Sequence, residues 1–375
     1  MTKNNELTLG KKIASMLMFG FRGADVQDQG VLKIVDDIGK LGLGGVLLFG
    51  YNINFPEQLK NLTNLLLQAD SKLLIAVDQE GGRVQRLSSK NGFKNFDTAK
   101  KIAASYSSEE AYSTYLNMAK ILKDYGINFN FAPCVDIDSA PPCSVIGGFE
   151  RSFSDNPQTV INYSKQFIDA HKKHNIITAL KHFPGHGFAQ SDTHKGLTDT
   201  TDLANTDLEL KPYKDLLSDS SNTAVMTAHI INRNLDDSGY PATLSKKIIT
   251  GILRENLNFQ GVVVTDALEM GAIRNYYSLE DVVHRSINAG NDILVFARNS
   301  ASSFDSKDDD SWKATPKKII DIIEHAVLNG IISQNRIDES YLRITKLKNL
   351  INPENHCIDS HYFDNGDMCG KFPEV

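Results

Sequence analysis

The sequence predicts an α/β fold, a single (β/α)8 TIM barrel with a C-terminal helical segment and a tail, and three observations lead there. Eight short apolar runs recur at fairly even intervals along the 375 residues, helical patterns separate them, and ionisable side chains gather where the runs end. A doubly wound open sheet produces the same alternation and stays the competing arrangement, because a sequence does not show closure.

The runs cover 15–21, 45–50, 73–79, 128–137, 178–183, 224–230, 261–268 and 292–296. They are β-branched and aromatic in character and nearly continuous rather than alternating, as parallel strands are when helices cover them outside. Between them, 31–42, 56–72, 109–126, 157–175, 210–218, 245–258 and 279–290 carry apolar residues at three- and four-residue spacing. Several open near Asp, Asn or Ser and close near Gly or Asn. After the eighth run, 300–315 is rich in Ser, Asp and Lys and reads as a solvated loop. The stretches 316–330 and 339–351 are helical, with Ile319, Ile320, Ile323 and Val327 covering apolar surface. The expected organisation is one barrel domain over 1–351 and a tail, 352–375, without periodicity.

Length alone would allow two or three domains of about 150 residues, yet barrels of about 250 residues and more form one. With 41% hydrophobic and 23% charged residues, the chain is globular in composition rather than disordered, collagen-like or coiled coil. Forty basic against 46 acidic residues leave a formal net charge of −6, too weak a field to point to nucleic acid. Cys134, Cys143, Cys357 and Cys369 form no C-x-x-C pair, which speaks against a disulfide scaffold or thiolate zinc site and for a reducing compartment. The apolar stretch 13–21 is broken by Gly20 and follows a mixed-charge segment, so it reads as a buried strand rather than a secretory signal. No run approaches the roughly 18 to 20 apolar residues of a membrane span, and a cytoplasmic location is expected.

Asp78 and Glu80 follow the third run, Asp136 lies in the fourth, Lys181 and His182 in the fifth, His229 in the sixth and Asp266 in the seventh. The C-terminal rim of a parallel barrel is where its active site is built. One Asp there caps a helix as readily as it does chemistry, but several strands contributing together point to a site.

The densest segment is K-H-F-P-G-H-G-F-A-Q-S-D-T-H at 181–194, with glycines at 185, 187 and 196 that free the backbone of a loop over a pocket. Asp192 lies two residues before His194, close enough to hold one imidazole nitrogen and raise the ring's basicity, so the pair can donate and later accept a proton. A metal-dependent hydrolase using His182, His186, Asp192 and His194 is the alternative reading. Pro184 and Gly185 break the helix that would align the first two, although convergence in three dimensions stays open. In the segment 74–86, Asp78 is placed to accept hydrogen bonds from sugar hydroxyls, while Arg83 and Arg86 could bind an anion or brace the acids. Glu80 and Arg83 fit an internal ion pair equally well. Gly81-Gly82 is no phosphate loop, since neither G-K-[ST] nor G-x-G-x-x-G follows. In 261–270, Asp266 ends an apolar strand, positioned as a nucleophile toward an electrophilic carbon or as a helix cap.

D-Q-E-G-G-R-V-Q-R at 78–86, F-A-P-C-V-D-I at 131–137, V-I-G with R-S-F at 145–153, K-H-F-P-G-H-G at 181–187, V-M-T-A-H-I at 225–230, P-A-T-L-S at 241–245, V-T-D-A-L-E-M at 264–270 and A-G-N-D at 289–292 stand in one order. With these motifs the sequence resembles glycoside hydrolase family 3, in its β-N-acetylglucosaminidase branch, over about residues 10–345. The resemblance implies a one-domain barrel that removes terminal N-acetylglucosamine with retention of configuration. It implies Asp266 as nucleophile, His194 paired with Asp192 as acid/base on a mobile loop, and Asp78, Arg86, Arg151, Lys181 and His182 as sugar-binding residues. Phe188 and Gln190 replace an Asp and a His of the family's usual loop, whose length is unchanged.

Also implied are a glycan substrate, N-acetylglucosaminyl-anhydromuramyl peptides of peptidoglycan recycling, no cofactor or metal, no nucleic-acid partner and a monomer. A histidine with its ordinary pKa of about 6.5 serves as proton donor near neutral pH. Neutral once deprotonated, it would not repel an anionic acceptor, so phosphorolysis stays open beside hydrolysis. A sugar-binding protein without turnover is the third reading. Arg86, Arg151 and Lys181 are expected to form a local cationic patch facing the sugar.

Overall fold

The computed structural model describes residues 7–139, 141–219, 222–298 and 312–351, so most of the expected loop 300–315 and all of the tail 352–375 lie outside the described residues. All eight expected strands form: β1 (Leu17–Gly20), β2 (Gly45–Leu48), β3 (Leu74–Val77), β4 (Phe129–Asn130), β5 (Ile177–Phe183), β6 (Thr223–Thr227), β7 (Val263–Thr265) and β8 (Leu294–Phe296). They make one parallel sheet in the order β7-β6-β5-β4-β3-β2-β1-β8. Its two outer strands meet through the parallel bridge Val264 to Ile293, and the Leu268 N–H donates to the Val295 carbonyl at 3.0 Å. The ring is thereby joined, and the open-sheet alternative falls away.

Around the ring run α1 (Leu9–Ser15), α2 (Gln29–Leu41), α3 (Pro56–Ala69), α4 (Ala99–Ser105), α5 (Ser108–Asp124), α6 (Pro157–Lys172), α7 (Thr206–Leu216), α8 (Lys247–Asn256, wound as a π-helix), α9 (Leu279–Ala289), α10 (Pro316–Leu328) and α11 (Gln334–Asn349). Their ends follow local chemistry. The Ser107 hydroxyl accepts from the Glu110 N–H while Glu110 returns the bond, and α2 stops where Gly42 turns left-handed at φ 81°. Strands are buried along their whole length, so both faces had to be apolar, and Phe19 on β1 stacks on Phe296 of the neighbouring β8 at 4.9 Å.

Several boundaries differ from expectation, and α4 was not expected; four differences have a clear local cause. The apolar stretch 13–21, read as a strand, begins inside a helix that precedes the first run, started where the Thr8 hydroxyl accepts from the Lys11 N–H. The expected helix 210–218 begins at Thr206, where Asn205 accepts from the Leu208 N–H, and this brings Glu209 into α7. Ser333 starts α11 five residues before expectation. The fourth run pairs as a ladder only over Phe129–Asn130, since Pro133 has no N–H to give, and continues to Ile137 as buried irregular chain. Among the described residues no helix is long and apolar enough to cross a membrane.

At the opposite end of the barrel from the polar rim, Asp292 is fully buried and gathers three guanidinium groups. Its carboxylate accepts from Arg254 at 2.7 Å, Arg336 at 3.1 Å and Arg343 at 3.2 Å, as well as from the Ser340 hydroxyl at 2.8 Å and the Val263 N–H at 3.0 Å. Burial alone would raise its pKa, but the three cations hold it below the usual carboxylate range. This junction joins α8, β7 and α11 to the start of β8. Asp292→Ala should therefore lower unfolding free energy by about 3–5 kcal/mol in urea titrations, because buried cations lose their counterion. A loss under about 1 kcal/mol would refute the junction's structural role.

Candidate active site

The rim is assembled from the ends of the strands. After β3 the chain folds into a small antiparallel hairpin, Gln79–Gly81 with Val84–Gln85, locked by the Gln79 side chain, whose carbonyl oxygen accepts from the N–H groups of Arg86 and Leu87. The hairpin returns Arg86 to the strand it left, and Arg86 donates to Asp78 Oδ2 at 2.9 Å. Lys181, on β5 and only 2% exposed, sends its ammonium across to Asp78 Oδ1 at 2.9 Å and Glu80 Oε1 at 2.6 Å. Arg151 grips Glu80 with two parallel bonds, at 2.8 and 2.9 Å.

The expected cationic patch is thus corrected: all three cations are engaged by Asp78 and Glu80, because a buried charge without a counterion is costly. Burial would raise both carboxyls, but Lys181 and Arg86 hold Asp78 well below the usual carboxylate range, and Arg151 and Lys181 bring Glu80 down to about 2. Of the two readings of Glu80, the ion-pair one describes what is seen. Arg83 instead lies over the Phe149 ring at 4.6 Å.

His182 follows Lys181 and turns the other way along the rim. Its Nδ1 lies 2.6 Å from Asp136 Oδ2, and its Nε2 lies 3.3 Å from Arg151 Nη2. Asp136 also accepts from the N–H of His182 and of His186, so one buried carboxylate fixes both the imidazole and the start of the following loop. His186 is buried, which lowers its pKa to about 4 and keeps its ring neutral near pH 7. Its Nδ1 faces Cys143 Sγ at 3.8 Å. His182, His186, Asp192 and His194 do not converge as one set of ligand atoms, although the His182 and His186 rings lie 5.5 Å apart. Among the described residues the metal-capable side chains whose ligand atoms lie within 4.8 Å are Cys134, Asp136 and His182, which share one member with that set.

The loop then passes Gly187, where a Cβ would sit 1.8 Å from the Ile137 carbonyl oxygen, so only glycine fits. It rises to Asp192, whose Oδ1 accepts from the His194 N–H at 2.9 Å and meets His194 Nδ1 at 2.8 Å. Nε2 of His194 is left for other partners, and the side chain is 48% exposed. Past His194 the loop is pinned to the segment after β7, as Gly271 N–H donates to the His194 carbonyl and Ala272 N–H to that of Thr193. The same segment carries Asp266, whose Oδ1 accepts from the Ala267 N–H at 2.7 Å. Burial opposes its charge, but the imidazoles of His229, His182 and His194 outweigh that and keep it below the usual carboxylate range. Asp78, Arg86, Arg151, Lys181, His182, His194 and Asp266 all line one cavity, with Phe49, Phe131, Met226 and Met270 supplying apolar wall. Asp192 stands behind His194.

Two positions noted at strand ends gain partners the sequence did not reveal. Asp136 is the orienting carboxylate of His182, and His229 donates from Nε2 to the Ala267 carbonyl at 2.9 Å, next to Asp266. Glu269, fully buried, faces the N–H groups of Ala297 and Arg298, and burial raises its pKa to about 7. Its place in V-T-D-A-L-E-M was the only available signal.

Comparison with known proteins adds three findings. The glycosyl hydrolase family 3 N terminal domain matches residues 8–347. Beta-hexosaminidase A of Pseudoalteromonas piscicida is 35% identical over 333 residues, which are 83% of this chain and 54% of that protein. The Beta-hexosaminidase of Tolumonas auensis is 34% identical over 268 residues, covering 70% and 77%. The solved structure of a glycoside hydrolase family 3 beta-N-acetylglucosaminidase from Paenibacillus sp. str. FPU-7 superposes with a TM-score of 0.81 at 32% identity, over 92% of this chain and 63% of that one. This chain therefore spans little more than half the length of the first of these relatives.

The ion network has a pH signature. Glu80 titrates at about 2 when folded, against 4.5 as an unperturbed group, so its stabilisation is complete above 4.5 and is lost as pH falls toward 2. In Glu80→Gln the rise of unfolding free energy with pH across that window should be shallower, by up to about 1.4 kcal/mol per pH unit. Equal slopes for variant and wild type in denaturant titrations between pH 3 and 4.5 would contradict this assignment.

Proposed function

Because the chain belongs to glycosyl hydrolase family 3, we propose that it is a retaining exo-β-N-acetylglucosaminidase in which Asp266 is the nucleophile and His194, held by Asp192, is the acid and base. The observation that carries this reading is the meeting of two unlike groups on one cavity. Asp266 is a half-buried carboxylate kept ionised by the imidazoles around it, and His194 is an imidazole fixed at Nδ1 with Nε2 available.

The chemistry follows from those two states. Asp266 attacks the anomeric carbon as the glycosidic C–O bond breaks, and His194, protonated, passes the Nε2 proton to the departing oxygen. Asp192 accepts from Nδ1–H throughout and stabilises the imidazolium before it gives up the proton. In the second half, neutral His194 takes a proton from water, whose oxygen attacks the anomeric carbon and releases Asp266. Asp78, Arg86, Lys181, Arg151 and His182 present fixed donors and acceptors to the sugar hydroxyls, and the apolar wall offers a surface for the acetamido methyl. The substrate we infer from the motif resemblance is an N-acetylglucosaminyl-anhydromuramyl peptide released in peptidoglycan recycling, handled by a cytoplasmic monomer without cofactor or metal.

Asp266→Asn should reduce turnover of an activated N-acetylglucosaminide by about 10³-fold or more, and near-wild-type rates would sink the nucleophile assignment. Rates on N-acetylglucosaminide, glucoside and N-acetylgalactosaminide substrates, measured with and without phosphate, should favour the first and be indifferent to phosphate. Phosphate-dependent formation of sugar 1-phosphate would replace hydrolysis by phosphorolysis. Sugar binding with no turnover at all would favour a binding protein, and activity abolished by chelation would favour the metal reading.

A further inference from the structure

Beneath the loop that carries Asp192 and His194 lies a carboxyl that the reaction scheme does not use. Glu209 projects from the first turn of α7, 4% exposed, and packs flat against the loop's base. A Cβ on Gly185 would lie 2.5 Å from both Cβ and Cδ of Glu209 and 2.6 Å from Oε1, and Gly185 itself sits at φ +145°. The carboxyl faces the N–H groups of Gly187 and Phe188. Gly187 meets the Ile137 backbone on its other side, so 185–188 is clasped between the fourth strand's extension and Glu209. Glu209 Oε1 has no hydrogen-bond partner, a costly state for a buried polar atom.

We propose that Glu209 is a positioning residue that fixes the base of this loop and so sets where His194 stands over the cavity, an inference that rests on the acid/base reading of His194. Other contacts hold the backbone of the turn and the loop's far end: Asp136 accepts from the His186 N–H, the Ser139 hydroxyl donates to the Gly187 carbonyl at 2.7 Å, and the Gly271 N–H donates to the His194 carbonyl. Glu209 is the contact that fills the space under the turn itself. Burial pushes its pKa up to about 8, with Asp136 adding to the effect against the pull of the Phe188 and Gly187 N–H groups. Near pH 7 it is therefore mostly the neutral acid, an acceptor of the shape that glutamine reproduces.

The test compares kcat/KM on two N-acetyl-β-glucosaminides, one with 2,4-dinitrophenol as leaving group and one with an alkyl alcohol. Only the second needs protonation as its bond breaks. Glu209→Ala should lose about 10- to 100-fold on the alkyl glycoside, a share of the roughly 10²- to 10⁴-fold that acid catalysis supplies, and less than about threefold on the dinitrophenyl glycoside. Glu209→Gln should restore most of that loss. If the alanine variant does not fold, Glu209→Asp, which withdraws the carboxyl by one methylene, serves in the same comparison. Equal losses on both substrates, no loss on either, or a glutamine variant as impaired as alanine would overturn the inference. His194→Ala separates the two levels: if it shows the leaving-group split and Glu209→Ala does not, the Glu209 inference falls alone. If neither shows it, the acid assignment falls and takes this inference with it.

Discussion

One buried ammonium group shared by two carboxylates holds the mouth of the barrel in shape. Lys181 reaches from β5 past β4 to Asp78 and Glu80 beyond the end of β3, so a single side chain spans three strands. Desolvating these charges is expensive, and the expense is met only if every one finds a counterion at close range. That requirement recruits Arg86 through the hairpin and Arg151 from the chain between β4 and α6. The rim is therefore not a set of independent side chains. Moving one charge strands the others.

The network also separates the two kinds of work in the cavity. Cations committed to carboxylates offer directional hydrogen bonds rather than a diffuse positive field, which suits an uncharged hydroxylated ligand. Asp266 stands apart from those pairs. Its neighbours are imidazoles and a backbone N–H, which hold it ionised without tying both oxygens into an ion pair of the kind that occupies Asp78. A carboxylate in that setting retains its reactivity.

The repeating architecture was legible in the sequence because burial on both faces imposes long apolar runs, and parallel strands place their functional ends on one side. The motifs located the rim residues, and Asp192 with Asp266 could be singled out by spacing and strand position. What the sequence did not reveal depends on contacts between distant segments. Asp136 and His182 are 46 positions apart, and only the folded chain shows them 2.6 Å apart. Glu209 lay just before its expected helix, since the Asn205 cap that starts the helix four residues earlier carries little weight alone. Asp292 belonged to a recognisable motif, yet its motif did not say that it faces away from the mouth and serves the arginines of α8 and α11. The first helix was missed because apolar residues of a short helix and of a strand are alike over seven positions.

The His194 imidazole is half open to solvent, while Asp192 behind it is 24% exposed. Most groups at the mouth are sealed from water, and a proton leaving one of them would need a relay to be replaced. His194 needs none. Its proton exchanges with bulk water and buffer directly, so the supply of protons does not depend on the rigid, ion-paired interior.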